Sequence, residues 1–256
     1  MIIYVASDIG TKSVNEDSFC ICTPENTVIS TQSERENYMV EFSEKNQSGC
    51  LLAVADGISS LHDSKNTSMQ LIRSLSERYP SISLDHGRYM RHVLQNVSWN
   101  IERGSTDGKR RGTTAALVYI EGNHAYCANV GDTAIYLIHG GDLKMISIED
   151  TEAAELIRSG IPADQIAETA FHQLTQYIGQ PDFPEPHLIQ AELDTDDILI
   201  VMSDAFVLKN EDLSGLMNGP GNPALQLIEN HANSRTESYM DNCTVMIVKL
   251  GLPVQI

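Results

Sequence analysis

The residues of this chain best placed to do chemistry are acidic ones that lie immediately before or after a short apolar run. Asp56 follows LLAVA, Asp132 follows the run ending at Val130, Asp204 follows ILIVMS, Asp241 precedes CTVMIV, and Glu16 with Asp17 precedes SFCIC. Each run has a strand's length. A sheet holds strand ends rigidly while leaving their side chains free to converge. If the strand before Asp204 pairs antiparallel with the strand after Asp241, these two carboxylates meet at one sheet edge, and the same geometry joins Asp17 to Asp56. Carboxylates gathered in this way repel one another unless a cation neutralises them. An all-oxygen ligand set suits Mg²⁺ or Mn²⁺ rather than zinc or copper. Taken singly, each aspartate also reads as a turn or cap residue, since Asp-Gly, as at Asp56 and Gly57, is a common turn dipeptide.

The elements that must position these groups follow from hydrophobic periodicity. Strand-like runs with turn residues at their ends recur at Ile2 to Ala6, Ser18 to Cys22, Leu51 to Ala55, Thr114 to Ile120, His124 to Val130, Ala134 to Ile138, Ile198 to Met202 and Thr244 to Leu250. Between Leu61 and Pro80, Met69, Leu71, Ile72 and Leu75 recur at helical spacing. Met90, Val93, Leu94, Val97 and Ile101 do the same between about Leu84 and Arg103. A further helix is expected from Thr151 to Arg158, stopped at Gly160, with Pro162 in the first turn of another short one. Strands in groups, with helices inserted in pairs and no βαβ alternation, predict an α+β fold of antiparallel sheets with helices outside, in one domain over 1–256. The stretch GSTDGKRRG from Gly104 to Gly112 reads as a solvated surface loop carrying Lys109, Arg110 and Arg111.

Composition narrows the partners. The chain has 35 acidic and 17 basic residues, a formal charge of -18 that disfavours nucleic acid and anionic membrane. Five cysteines, Cys20, Cys22, Cys50, Cys127 and Cys243, form no C-x-x-C pair and sit mostly in apolar runs, so buried free thiols and a reducing compartment are expected. The amino terminus lacks the basic and apolar regions of a signal peptide, and the apolar runs fall far below the roughly 20 residues of a membrane helix. A cytoplasmic monomer is the expectation.

A set of strings in this order resembles the PPM family of metal-dependent protein phosphatases, the protein phosphatase 2C family, in its compact bacterial form. They are SDIGTKSVNEDSF at 7–19, LLAVADG at 51–57, GTTAAL at 112–117, ANVGDTAIYL at 128–137, ISIEDTEAAELIRSG at 146–160, HQLTQYIG at 172–179, DDILIVMSDAF at 196–206 and DNCTVMIV at 241–248. The resemblance implies a four-layer α/β/β/α sandwich of two antiparallel sheets flanked by helices. It implies Mg²⁺ or Mn²⁺ as cofactor, as two ions with a third in many bacterial members. Asp56 would bridge the two metals, Gly57 would lend its carbonyl, and Asp204 and Asp241 would complete one site. Asp132 would hold the third ion, Glu16 would fix metal-bound waters, and Asp17 would support them. Lys12 would hold the substrate phosphate, so that Lys12, Asp56 and Asp204 form the catalytic set. The implied reaction is hydrolysis of phosphoserine or phosphothreonine in proteins by a metal-activated water, opposing a bacterial Ser/Thr kinase. The segment from about 149 to 186 would be the flap beside the site.

The chain departs from this pattern in places. Lys12 replaces an arginine whose planar fork would grip two phosphate oxygens. Ser59 and Ser60 stand where glycines are common, and Ala205 replaces the glycine after Asp204, at a cost if that position needs positive φ. Thr151 follows Asp150 where histidine often follows the aspartate, and no role attaches to Glu149 or to that change. His62 lies too far beyond Asp56 to be the general acid some members place there and reads as a surface histidine. These departures open a second reading, a weakened pseudophosphatase acting as a binding module; a third, a phosphatase for a small phosphoester, is excluded by nothing in the sequence.

Overall fold

A computed structural model describes residues 1–42, 49–79, 85–213, 221–234 and 240–251. In chain order the strands are β1 (Ile2–Asp8), β2 (Ser18–Cys22), β3 (Thr27–Ile29), β4 (Arg35–Glu41), β5 (Cys50–Ala55), β6 (Ala115–Glu121), β7 (His124–Val130), β8 (Ala134–His139), β9 (Asp142–Met145), β10 (His187–Glu192), β11 (Ile198–Met202) and β12 (Cys243–Lys249). The helices are α1 (Ser64–Arg78), α2 (His86–Gly104), α3 (Glu152–Arg158) and α4 (Pro223–Ser234). One six-stranded sheet has the order β4-β1-β12-β11-β8-β9 and the other β10-β7-β6-β5-β2-β3. All pairings within them are antiparallel.

The four layers follow from which faces are apolar. Ile3, Val5, Phe19, Ile21, Leu52, Leu199 and Met246 fill the space between the sheets. The outer face of the β5-containing sheet packs under Leu71, Ile72 and Leu75 of α1 and Val93, Leu94 and Val97 of α2. Ala224, Leu227 and Ile228 of α4 cover the other sheet against Ile200, Met202 and Ile247. Each such buried aliphatic side chain contributes roughly 1.5–3 kcal/mol relative to exposure. The expected α/β/β/α sandwich is therefore the fold observed, and the five cysteines are buried and free as expected.

Every strand expected from the sequence is present, and all of them are interior strands. The four not foreseen, β3, β4, β9 and β10, are the sheet edges. Their faces alternate between covered and open, as in RENYMVE of β4, and polar residues break up the apolar run that reveals an interior strand.

Helix bounds moved a little. α1 begins at Ser64 rather than Leu61, and α2 begins at His86, where Asp85 Oδ1 accepts from Arg88 N at 3.0 Å. Pro80 and Leu84 lie outside the described residues. α3 ends at the predicted Gly160, whose φ of 97° lets Ile161 N reach back to Leu156 O at 3.0 Å. Pro162 does not open a second α-helix. It precedes a single 3-10 turn over Ala163–Gln165. Among the described residues no helix is long and apolar enough to cross a membrane.

Candidate metal centre

The strand order brings the predicted acidic residues to one end of the sandwich. In the first sheet, Met202 at the end of β11 faces Val245 of β12 and Ala134 at the start of β8, and Asp8 at the end of β1 faces Cys243. In the second sheet, Ser18 opposes Ala55, and Ala115 opposes Val130. Asp17, Asp56, Asp132, Asp204 and Asp241 each sit one or two residues beyond one of these ends. The antiparallel pairing expected for Asp204 with Asp241 and for Asp17 with Asp56 is what is found. Polar bonds then join the two sheets at this end. Ser203 Oγ donates to Asp17 Oδ2 at 2.8 Å, and the hydroxyls of Thr114 and Thr133 bond to each other.

An open cleft of about 120 Å³ lies here, lined by Asp56, Gly57, Ile58, Ser59, Thr114, Asp132, His172, Leu174, Asp204 and Asp241. That is well below the roughly 300–1,000 Å³ of pockets for organic ligands. Burial pushes Asp56 well above the usual carboxylate range, and the charges of Asp17, Asp204, Asp132 and Asp241 add to it. Burial likewise raises Asp132 to about 8, with Asp204 as the next cause, and raises Asp17 to about 7. Asp204 is raised by burial too, while His172 works against the shift. Asp56 and Asp132 are only partly covered and Asp204 opens to the cleft, so water there moderates these shifts.

This donor set fits hard divalent cations. The cleft is lined by four aspartates, and Asp17 Oδ1 is fully buried without a hydrogen-bond partner. Among the described residues, however, no three His, Cys, Asp or Glu side chains are grouped so that they could together hold one ion. That arrangement suits Mg²⁺, which keeps several waters and takes one or two carboxylates from the protein, better than a structural metal.

Gly57 sits where a side chain could not. A Cβ there would stand 2.5 Å from Ser64 O and 3.0 Å from Glu16 O. Thr113 Oγ1 and Thr114 N donate to Asp56 O at 2.7 and 2.8 Å, fixing the turn from the other side. Gly10 makes a similar close approach with φ of 64°, its missing Cβ 2.4 Å from Asp241 O, which lets the 9–16 loop lie against the start of β12. Asn242 pins that loop. It accepts from Glu16 N at 2.9 Å and donates to Ile9 O and Val14 O at 2.9 and 3.0 Å.

Lys12 and Glu16 thus stand at the rim rather than among the residues lining the cleft. Lys12 Nζ lies 3.0 Å from Asp241 Oδ1, and Glu16 Oε1 and Oε2 accept from Ser64 and Ser59. Positive φ among the described non-glycine residues occurs at Gln32 and Asp63, so Ala205, Ser59 and Ser60 carry no left-handed strain. His62 is 44% exposed, does not line the cleft and lies 3.8 Å from Asp107 Oδ2, a surface histidine as read from the sequence. The Gly104 to Gly112 loop is largely exposed, and Arg111 pairs there with Asp107 at 2.9 Å.

Several residues of this end were not singled out by sequence. His172 and Leu174 reach the cleft from the 149–186 segment, whose 3-10 turn over Glu168–His172 follows α3. Ser203 and Asn242 are polar residues bordering wholly buried strands, a signal that could have marked both. Asp150, given no role above, is a buried hub. Its side chain accepts from Gly131 N at 2.9 Å, from Gln176 Nε2 at 3.0 Å, and lies 2.7 Å from His187 Nε2. It ties the turn carrying Asp132 to the 149–186 segment. Asp150→Ala should cost about 2 kcal/mol by stranding the buried Gly131 N–H and loosening the half-buried Gln176 and His187, measured by denaturant unfolding. A loss under 1 kcal/mol would contradict the hub.

Residues 22–158 match the protein phosphatase 2C family. That is more than half of the 256 residues, and the chain belongs to that family. It is 24% identical over 213 residues to protein phosphatase PhpP of Streptococcus pneumoniae, covering 78% of this chain and 86% of that one. A protein phosphatase 2C-type protein of Streptococcus pyogenes is 27% identical over 150 residues, and the match spans 60% of its length. The same fold is found in the S. agalactiae serine/threonine phosphatase, with a TM-score of 0.76, 24% identity, and 98% and 100% of the two chains covered. Stp1 of Staphylococcus aureus superposes with a TM-score of 0.78 at 19% identity, over 98% and 95% of the chains.

Proposed function

We propose that this chain is a metal-dependent protein phosphatase that hydrolyses phosphoserine and phosphothreonine in proteins, working in the cytoplasm as a single-domain monomer against a bacterial Ser/Thr kinase. The observation that carries the reading is the convergence of Asp56, Asp132, Asp204 and Asp241 on one cleft in a member of the protein phosphatase 2C family. Burial raises the carboxyl groups of Asp56, Asp132 and Asp204 there.

Asp56, the Gly57 carbonyl, Asp204 and Asp241 would hold two Mg²⁺ or Mn²⁺ ions, with Asp132 for a third and Glu16 orienting their waters; a structure of the relative PstP contains two manganese ions. Such ions supply an activated water and neutralise the charge of a phosphoryl group. The chain's own contribution is orientation. Lys12, at the rim beside Asp241, would meet a phosphate oxygen as a compact charge. His172 and Leu174 narrow the entrance from the 149–186 segment. Five buried free thiols suit a reducing cytoplasm.

The test is hydrolysis of an aryl phosphate and of a phosphothreonine peptide with Mn²⁺, with Mg²⁺ and with a chelator. Turnover of both substrates that chelation abolishes is the expected result. Turnover that survives chelation sinks the metal reading, and no turnover with any divalent ion favours the binding-module alternative. Hydrolysis of the aryl phosphate without the peptide points to a small phosphoester.

A further inference from the structure

The serine at 59, where the resemblance leads one to expect glycine, links Lys12 to Glu16. Ser59 Oγ donates to Glu16 Oε2, while Ser64 Oγ donates to Glu16 Oε1, so both oxygens of this carboxylate are held by hydroxyls. Lys12 Nζ in turn donates to Ser59 Oγ at 3.0 Å. A serine hydroxyl has one proton, and here it points to Glu16, which leaves its lone pairs for the ammonium. The donors therefore run in one direction, from Lys12 to Ser59 to Glu16. The ammonium and the carboxylate are themselves 4.0 Å apart, too far for a direct hydrogen bond, so the hydroxyl bridges them.

The arrangement answers a weakness of lysine at this position. An ammonium is a point charge on a flexible four-carbon stem and has no planar fork to fix its direction. Asp241, 3.0 Å away, draws it toward a carboxylate that lines the cleft. The Ser59 hydroxyl, also 3.0 Å away, gives the ammonium a second, neutral partner. Ser59 is exposed and itself lines the cleft, whereas Ser64 is buried, so the relay has a fixed inner end and an outer end at the mouth.

We propose that Ser59 is a positioning residue that holds Lys12 at the mouth of the cleft for a substrate phosphate, with Glu16 and Ser64 as its anchor. This rests on the phosphatase reading. Glycine at 59 removes the neutral anchor and leaves the ammonium drawn toward Asp241 and Glu16.

The experiment compares wild type, Ser59→Gly and Ser59→Thr, each with Lys12 and with Lys12→Met. The readouts are KM and kcat for an aryl phosphate in Mn²⁺, and binding of inorganic phosphate by calorimetry with the same ion. For Ser59→Gly we expect KM and the phosphate dissociation constant to rise about three- to tenfold, with kcat changed less than about twofold. Ser59→Thr keeps the hydroxyl and should restore both. In the Lys12→Met background Ser59→Gly should change neither. Equal effects in the two backgrounds, or unchanged phosphate binding in Ser59→Gly, overturn the proposal while leaving a turning-over enzyme a phosphatase. An inactive wild type whose phosphate binding still falls with Ser59→Gly leaves the positioning role standing and removes the catalytic reading. A wild type that neither turns over nor binds phosphate overturns both. Thermal unfolding of each variant by circular dichroism identifies any loss due to misfolding, and Ser59→Ala repeats the test without added backbone freedom.

Discussion

Asp204→Asn should lower kcat/KM for an aryl phosphate by at least about a thousandfold in saturating Mn²⁺, because it removes both a proposed ligand and the charge that favours the ion. The same substitution should not destabilise the metal-free protein. Asp204 stands among crowded carboxylates, and its charge adds to the upward shifts that burial gives Asp17, Asp56, Asp132 and Glu149. Removing it relieves repulsion, so the melting temperature in chelator should hold or rise. Activity and stability are therefore expected to move in opposite directions. Ordinary core damage lowers both. Steady-state kinetics in Mn²⁺ and calorimetric melting in chelator decide the matter, and an Asp204→Asn protein that keeps a tenth of wild-type activity would remove Asp204 from the proposed site.

The second large effect is on stability and pH. Asp17 is pushed up to about 7 by burial, and Asp132 up to about 8 by burial and by the charge of Asp204. Unfolded, both titrate near 3.9. Between about pH 4 and 8 the folded metal-free protein therefore holds more protons than the unfolded chain, and its stability falls as pH rises through that window. Metal competes with those protons, so Mn²⁺ should raise the melting temperature more at pH 8 than at pH 5.

In chelator we expect a melting temperature lower at pH 8 than at pH 5 by something like 5 °C. General repulsion from the net charge of -18 acts in the same direction. Asp132→Asn separates the two contributions, since it should flatten the pH slope in chelator while changing the net charge by only one. A metal-free protein equally stable at both pH values, or a metal effect larger at pH 5, contradicts the crowded-carboxylate account.

The organisation of the site explains why its acidic residues could be recognised without coordinates while their supports could not. Asp56, Asp132, Asp204 and Asp241 each abut a strand buried on both faces, and such strands are continuous apolar runs that stand out in a sequence. The edge strands β3, β4, β9 and β10 carry mixed patterns because one side faces water, and they were not legible. The ends of α1 and α2 shifted by a few residues, as expected where capping rather than periodicity sets the boundary.

Ser59 illustrates the opposite case. From sequence it was a bulkier, less free substitute for glycine, an apparent defect. In the fold its φ is not positive and its hydroxyl lies between Lys12 and Glu16, residues separated from it by about forty positions in the chain. Asp150 was passed over for the same reason. Its partners Gly131, Gln176 and His187 come from three segments.

Local periodicity and the order of short strings were enough to place the interior strands, the helix faces, the family resemblance and the acidic residues at strand ends. That Lys12 and Glu16 stand at the rim of the cleft these ends form, with His172 lining it, became visible in the folded chain alone. Those outcomes depend on strand order and register, which bring together side chains with no relation along the chain.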